Sequence, residues 1–213
     1  MKISIVGTGN MGSILAKHLS NSEHQVIMGS RDPDAKSQIA AEIGNGVVVN
    51  TISEAVEKSD IVFLTTPHKH MEETLKATGP MANKIVVDVS NPFVQPDFGL
   101  AIGHTTSAAE EIARQIPEAK VVKAFNTVFA TVLTKSIHFG SEPVQIFYAS
   151  DDESAAQEIR KVIESIGLKA INAGKLKSAR YIEPMSALLM QIDNNLEEDL
   201  QISMSTQSRY KIN

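Results

Sequence analysis

The chain has 213 residues, 42% of them hydrophobic and 21% charged, enough for one globular unit with a sizeable core. A formal net charge of −5 offers no basic face for nucleic acid or an anionic membrane surface, and the absence of cysteine excludes disulfides, thiolate metal sites and a cysteine nucleophile. The glycines at positions 7, 9 and 12 interrupt the first apolar run, so it is not a signal peptide, and no stretch approaches the roughly 20 apolar residues of a membrane span; a cytoplasmic protein is expected.

Lys2–Val6 reads as a buried strand and runs straight into Gly7-Thr8-Gly9-Asn10-Met11-Gly12, which opens a helix over 11–20. Strand, G-x-G-x-x-G and helix in that order are the context a dinucleotide-binding turn requires. Gly7 permits the tight turn, Gly9 lets the backbone approach a pyrophosphate, and Gly12 lets the helix pack closely on the strand. The helix N-terminus then presents free N–H groups and a positive dipole end to the phosphates.

A second strand over 24–28 leads to Gly29-Ser30-Arg31. A carboxylate at this place would hold a ribose 2′-OH and repel a 2′-phosphate. A hydroxyl and a guanidinium do the reverse, which favours NADP(H) over NAD(H), the alternative being that Arg31 is a solvated turn residue and Asp32 the ribose ligand. Asp32, followed by Pro33, shapes the turn and caps a helix from Asp34.

Further along, strands are expected over 46–49, Ile61–Leu64, Ile85–Asp88, Lys120–Ala124, 144–149 and 168–171. Helices are expected over 53–59 with Ser53 as cap, 69–78 closed by Gly79-Pro80, 107–115, 154–166 capped by Ser150, Asp151 or Asp152, and 175–192, where Pro184 kinks or restarts the helix. Residues 93–104 read as a loop, and a polar, partly disordered tail starts near Asn194. Apolar strands alternating with helices imply an α/β fold, a Rossmann doubly wound and mostly parallel sheet with a small C-terminal helical or αβ extension. Its expected division is a dinucleotide-binding part over 1–140 and a C-terminal part over 141–213 that completes the acceptor site and carries a possible dimer contact.

Ligands bind such sheets at the carboxyl ends of the strands. That selects the glycine loop, Gly29 to Arg31, Thr65 to His68, Ser90 to Phe93, and Phe125 to Phe129. No cluster has metal-ligand spacing, and no Tyr-x-x-x-Lys pair or trustworthy His-Asp arrangement is present; His68 and His70 read as exposed helix-start residues. A hydride exchanged between a nicotinamide and a flavin-like ring fits this lack of an acid or base, because the cofactors supply the electronics and the protein holds two rings in contact. Asn126 and Thr127 could bond a nicotinamide amide or a flavin edge and Val128 press on a ring; an ordinary strand exit is the simpler reading of spacing alone. Arg180 and Glu183 read as an intrahelical pair, with anchoring of that helix against the acceptor site as the alternative, and Ala187-Leu188-Leu189-Met190 as a homodimer contact.

GTGNMG, GSR, DVSNP, KVVKAFNTVFA and LKSAR-x-x-E together resemble the coenzyme F420-dependent NADP oxidoreductases, and also the cytosolic, NADPH- and flavin-using domain of the STEAP metalloreductases, over about residues 1–192. The resemblance implies NADP(H), with a deazaflavin or flavin as small-molecule redox acceptor. It places Thr8, Gly9, Asn10 and Met11 along the pyrophosphate, and Thr8, Ser30 and Arg31 on the 2′-phosphate, with Lys36 approximating a further basic residue. Thr66 and Pro67 would border the nicotinamide ribose, Ser90, Asn91 and Pro92 the nicotinamide half, and Asn126, Thr127, Val128 and Ala130 the ring-stacking site. The alternatives are a reductase of a small imine or keto substrate, which needs a larger helical C-terminal domain than the sequence after Ile192 supplies, and a nucleotide-sensing module without turnover.

Overall fold

The computed structural model describes residues 1–94, 98–197 and 199–209. In chain order these form β1 (Lys2–Val6), α1 (Asn10–Ser20), β2 (Gln25–Ser30), α2 (Ser37–Ile43), β3 (Val48–Thr51), α3 (Ile52–Glu57), β4 (Ile61–Leu64), α4 (Met71–Thr78), β5 (Ile85–Asp88) and the short pair β6 (Phe93–Val94) and β7 (Gly99–Leu100). Then follow α5 (Ala108–Gln115), β8 (Lys120–Ala124), α6 (Ala130–Lys135), the hairpin β9 (His138–Phe139) and β10 (Glu142–Pro143), β11 (Gln145–Ser150), α7 (Glu153–Ser165), β12 (Lys169–Asn172) and α8 (Ala179–Leu196).

Eight strands form one sheet in the order β12-β11-β8-β5-β4-β1-β2-β3. The run β3-β2-β1-β4-β5-β8 is entirely parallel. It reverses direction of winding at β1, so the crevice for a ligand opens between the ends of β1 and β4. β11 runs antiparallel to β8 and parallel to β12. An antiparallel neighbour needs no crossover, and residues 125–144 turn back with only α6 and a two-stranded hairpin. Position 140 falls between β9 and β10, and the strands beyond it extend the same sheet.

The continuous apolar runs of the central strands follow from burial on both faces. Ile61 and Phe63 of β4 join one core layer with Ile3, Ile5, α1 and α7, while Val62 and Leu64 join the other with residues of α3, α4 and α5.

Several local expectations are corrected. Strand β2 extends through Gly29 and Ser30, and β3 starts two residues later than expected. Thr51, not Ser53, caps α3, in a reciprocal box with Glu54. His68–His70 is a 3-10 turn leading into α4. The expected loop carries β6 and β7, and α6 and the β9–β10 hairpin lie where none was read; positions 95–97 of that loop and 198 and 210–213 of the tail lie outside the described residues. Helix α8 continues through Pro184 to Leu196. One lost N–H does not break a helix anchored beside the proline by Arg180, Glu183 and Ser186. Beyond it, Thr206 in the tail bonds the Gln145 side chain, with Thr206 N to Oε1 2.8 Å. No helix among the described residues is long and apolar enough to cross a membrane, and no cluster of three or more of their His, Asp and Glu side chains is arranged to hold a metal ion.

Candidate cofactor site

The glycine loop is fixed by both neighbours of β1. Gly7 N–H donates to Gly29 O at 3.0 Å, Thr65 N–H to Val6 O at 3.0 Å, and the Thr65 hydroxyl to Val6 O at 3.0 Å. Gly7 sits at φ +119°, a conformation open to glycine. A Cβ on Gly12 would lie 2.3 Å from Gly7 O, so only glycine lets α1 approach this closely. A Cβ on Gly9 would meet nothing within 4 Å; its face is open. Ser13 N–H to Gly9 O is the first helical bond, the first turn holds no acidic side chain, and the N–H groups of Asn10, Met11 and Gly12 have no partner among the described residues and face an anion-binding position.

This loop forms one wall of a groove of about 300 Å³. Its far corner is built by Ser30, Arg31 and Lys36, and the opposite wall by Thr66, Pro67, His70 and Glu73. The Ser30 hydroxyl is buried and bridges to the backbone of Asp32, accepting from its N–H and donating to its C=O at 3.1 Å each. Asp32 Oδ1 accepts from Ala35 N–H, which is the capping role expected of it. Arg31 is exposed, and its guanidinium faces the Glu73 carboxylate at 4.0 Å across the mouth. Lys36, which only approximates the basic residue that the resemblance implies, also lines this groove. His70 lines the groove, contrary to its reading as a plain helix-start residue.

The other site candidates lie further along the same carboxyl edge, on the loops after β5 and β8. From the end of β2 to the end of β8 is four strand spacings, roughly 19 Å, which suits a dinucleotide laid along the edge. Two of the candidates, Asn91 and Asn126, meet directly: Asn126 Nδ2 donates to Asn91 Oδ1, and Asn91 Nδ2 to Asn126 O, each at 2.9 Å. Asn126 Oδ1 and the Thr127 hydroxyl are shielded from water and have no hydrogen-bond partner among the described residues. An amide oxygen and a hydroxyl left this way, at a cost of about 1–3 kcal/mol each, fit the carboxamide of a nicotinamide. Phe125, just before them, is fully buried at φ +63°, a strained conformation for an aromatic residue, and turns the chain out of β8. Asn10 is exposed and Met11 half-buried against the core, Pro92 and Val128 are buried, Val128 within the main core, and Ala130 is the first residue of α6.

Beneath these loops is a cluster the sequence reading missed. Asp88 and Lys123 are register partners on β5 and β8, and both are fully buried. Lys123 Nζ contacts Asp88 Oδ2 at 2.8 Å, Glu183 Oε1 at 3.0 Å and Ser90 O at 2.5 Å. Burial would lower the ammonium's pKa, but the two carboxylates outweigh it and hold it above the ordinary lysine value. Asp88 Oδ1 also accepts from Ser90 N–H and its hydroxyl, which fixes that loop. Glu183 also holds the start of α5, which Ser107 caps, by accepting from Ala108 N–H and Ala109 N–H. The expected Arg180–Glu183 pair is therefore wrong: Arg180 grips Glu110 in two hydrogen bonds, at 2.7 and 2.9 Å, and holds its carboxyl below the ordinary pKa. The available signal was a charge inside an apolar run, Asp88 in IVVD and Lys123 in KVVKA.

Residues 2–92 match the family described as NADP oxidoreductase, coenzyme F420-dependent. The F420-dependent NADP reductase of Methanothermobacter thermautotrophicus is 31% identical over 211 residues, covering 91% of this chain and 89% of that protein. The metalloreductase STEAP3 of Rattus norvegicus is 29% identical over 89% of this chain, which spans only 37% of that protein's length. A crystal structure of a candidate F420-dependent NADP reductase from Arthrobacter sp. FB24 superposes with a TM-score of 0.86 at 28% identity, over 97% of this chain and all of that one. With that fold, that glycine loop and those relatives, the chain belongs to the family of coenzyme F420-dependent NADP oxidoreductases.

Proposed function

We propose that this chain binds NADP(H) along the carboxyl edge of the sheet and exchanges a hydride with a flavin-like acceptor, a deazaflavin or a flavin. The observation that carries the cofactor choice is the groove corner where Ser30, Arg31 and Lys36 converge at the end of β2. Two cations and a turn held by a hydroxyl suit a 2′-phosphate, and Asp32 is engaged in capping the next turn. The open face of Gly9 and the free N–H groups of α1 take the pyrophosphate. Thr66 and Pro67 border the ribose beyond it, and Ser90, Asn91 and Pro92 flank the nicotinamide half. Asn126 and Thr127 hold the carboxamide, which orients the ring face towards the acceptor.

Bound NADPH supplies the hydride. The protein's part is to hold two rings in contact and keep water away. Lys123, beneath this end, is enclosed by Asp88 and Glu183 and serves the scaffold. Residues 141–213 complete the acceptor end through α8. We further propose a cytoplasmic location and a homodimer; of the apolar run expected to form its contact, Leu189 and Met190 are buried within the chain, so the contact face would instead be Leu188 with Tyr181, two turns apart on α8 and both exposed; a monomer in sedimentation at micromolar concentration overturns the dimer.

Calorimetric titration with NADPH and NADH, on the wild type and on Arg31→Ala, tests the cofactor. Losing a charge-assisted phosphate contact of about 1.5–3 kcal/mol weakens NADPH roughly tenfold or more and leaves NADH unchanged. Equal binding of both, insensitive to the substitution, overturns the reading. Oxidation of NADPH on adding a deazaflavin or flavin then distinguishes an oxidoreductase from a sensing module.

A further inference from the structure

The loops after β5 and β8 are tied to each other and to α8 by one hydroxyl. Ser186 Oγ donates to Asn126 O at 2.8 Å and accepts from Asn91 Nδ2 at 2.9 Å, and the residue is 1% exposed. Asn91 Nδ2 thereby spends both hydrogens, on Ser186 Oγ and Asn126 O, and its Oδ1 takes a hydrogen from Asn126. Asn126 Nδ2 likewise spends both, on Asn91 Oδ1 and on Ile182 O of α8 at 3.2 Å. Rotating the Asn126 amide by half a turn would set its oxygen against two acceptors and lose both bonds. Its orientation is therefore fixed by its neighbours, and Oδ1 is the atom left over.

We infer that Ser186 is a positioning residue for the nicotinamide end: with Asn91 and Ile182 it locks Asn126 as a hydrogen-bond acceptor for the N–H of a carboxamide. This rests on the NADP(H) reading and goes beyond it, since it assigns the selection of the carboxamide to a helix that need not touch the cofactor. The Thr127 hydroxyl, equally without a partner, supplies the matching donor for the carboxamide oxygen. Both atoms lie beneath the surface, so the ligand reaches them only as covering side chains move aside. The lock matters then, because an amide free to rotate would present a donor or an acceptor indifferently.

The test uses three ligands on the full chain, by calorimetry: NADP+, its 3-acetylpyridine analogue, which lacks the carboxamide N–H, and adenosine 2′,5′-bisphosphate, which lacks the nicotinamide half. Wild type prefers NADP+ over the analogue by about fivefold, the worth of one hydrogen bond. Ser186→Ala, which releases Asn91 Nδ2 and the Asn126 backbone carbonyl from α8, measurably lowers that preference and leaves adenosine 2′,5′-bisphosphate binding unchanged. Ser186→Cys, which keeps the volume and a weak donor, falls between, and it carries the test should the alanine variant fail to fold. A folded Ser186→Ala that keeps the full preference overturns the inference, as does a wild type with no preference. A wild type that fails to bind adenosine 2′,5′-bisphosphate overturns the cofactor reading itself, and the inference falls with it.

Discussion

Two glycines three residues apart in one turn respond to the same substitution in opposite ways. An added methyl at Gly12 lies 2.3 Å from Gly7 O and 2.9 Å from Thr65 Oγ1, about an ångström inside normal contact with backbone that β1 holds in place. Overpacking of this kind costs about 3 kcal/mol, and alanine's better helix propensity returns about 1 kcal/mol. The net loss of about 2 kcal/mol lowers the melting temperature by roughly 4–8 °C in a chain of this size. At Gly9 the methyl meets nothing within 4 Å and φ is −82°, so the only folding cost is a poorer cap, below about 1 kcal/mol and a few degrees. That open space is where the pyrophosphate comes, so Gly9→Ala weakens NADPH by about tenfold or more. Thermal melts by circular dichroism, paired with NADPH titrations, read both quantities. Wild-type affinity in Gly9→Ala refutes the placing of the pyrophosphate over Gly9. A Gly12→Ala melt within a degree of wild type refutes the close approach of α1.

Three other perturbations follow from the same geometry. Glu73 faces Arg31 at 4.0 Å and competes with a 2′-phosphate; Glu73→Gln tightens NADPH by up to about fivefold without altering NADH, and unchanged NADPH affinity would remove Glu73 from that role. Glu183→Ala strips Lys123 of one buried partner and the Ala108 and Ala109 N–H groups of their acceptor, costing about 3–5 kcal/mol and roughly 6–20 °C in the melt; a fall of under 2 °C would show that the cluster relaxes freely. The Asp152 carboxyl is held down to about 2 by the Ser154 hydroxyl and the Ala155 N–H at the start of α7. Its folded pKa is below its unfolded one, so its stabilisation is complete above pH 4 and is lost as pH falls towards 2. Asp152→Asn flattens that part of the acid unfolding curve, and an unchanged curve would assign acid sensitivity elsewhere.

The residues themselves determined what depends on near neighbours. Strands β1, β4, β5 and β8 fall at the expected residues because a short segment rich in Val and Ile, bounded by polar or turn residues, is a local pattern. The glycine loop and the Ser30–Arg31 corner were legible for the same reason, each being read within a dozen positions. Tertiary structure decided what depends on distant partners. Arg180 chose Glu110, 70 positions away, over Glu183 three positions away, because α8 crosses the start of α5. Asp88 met Lys123, 35 positions on, only through the β5–β8 register, and Ser186 reached Asn126 across 60 positions. The direction of β11 was equally invisible, since a buried strand reads the same whichever way it runs. A sequence states what each segment buries; which charges and amides then face one another is fixed when the sheet and α8 come together.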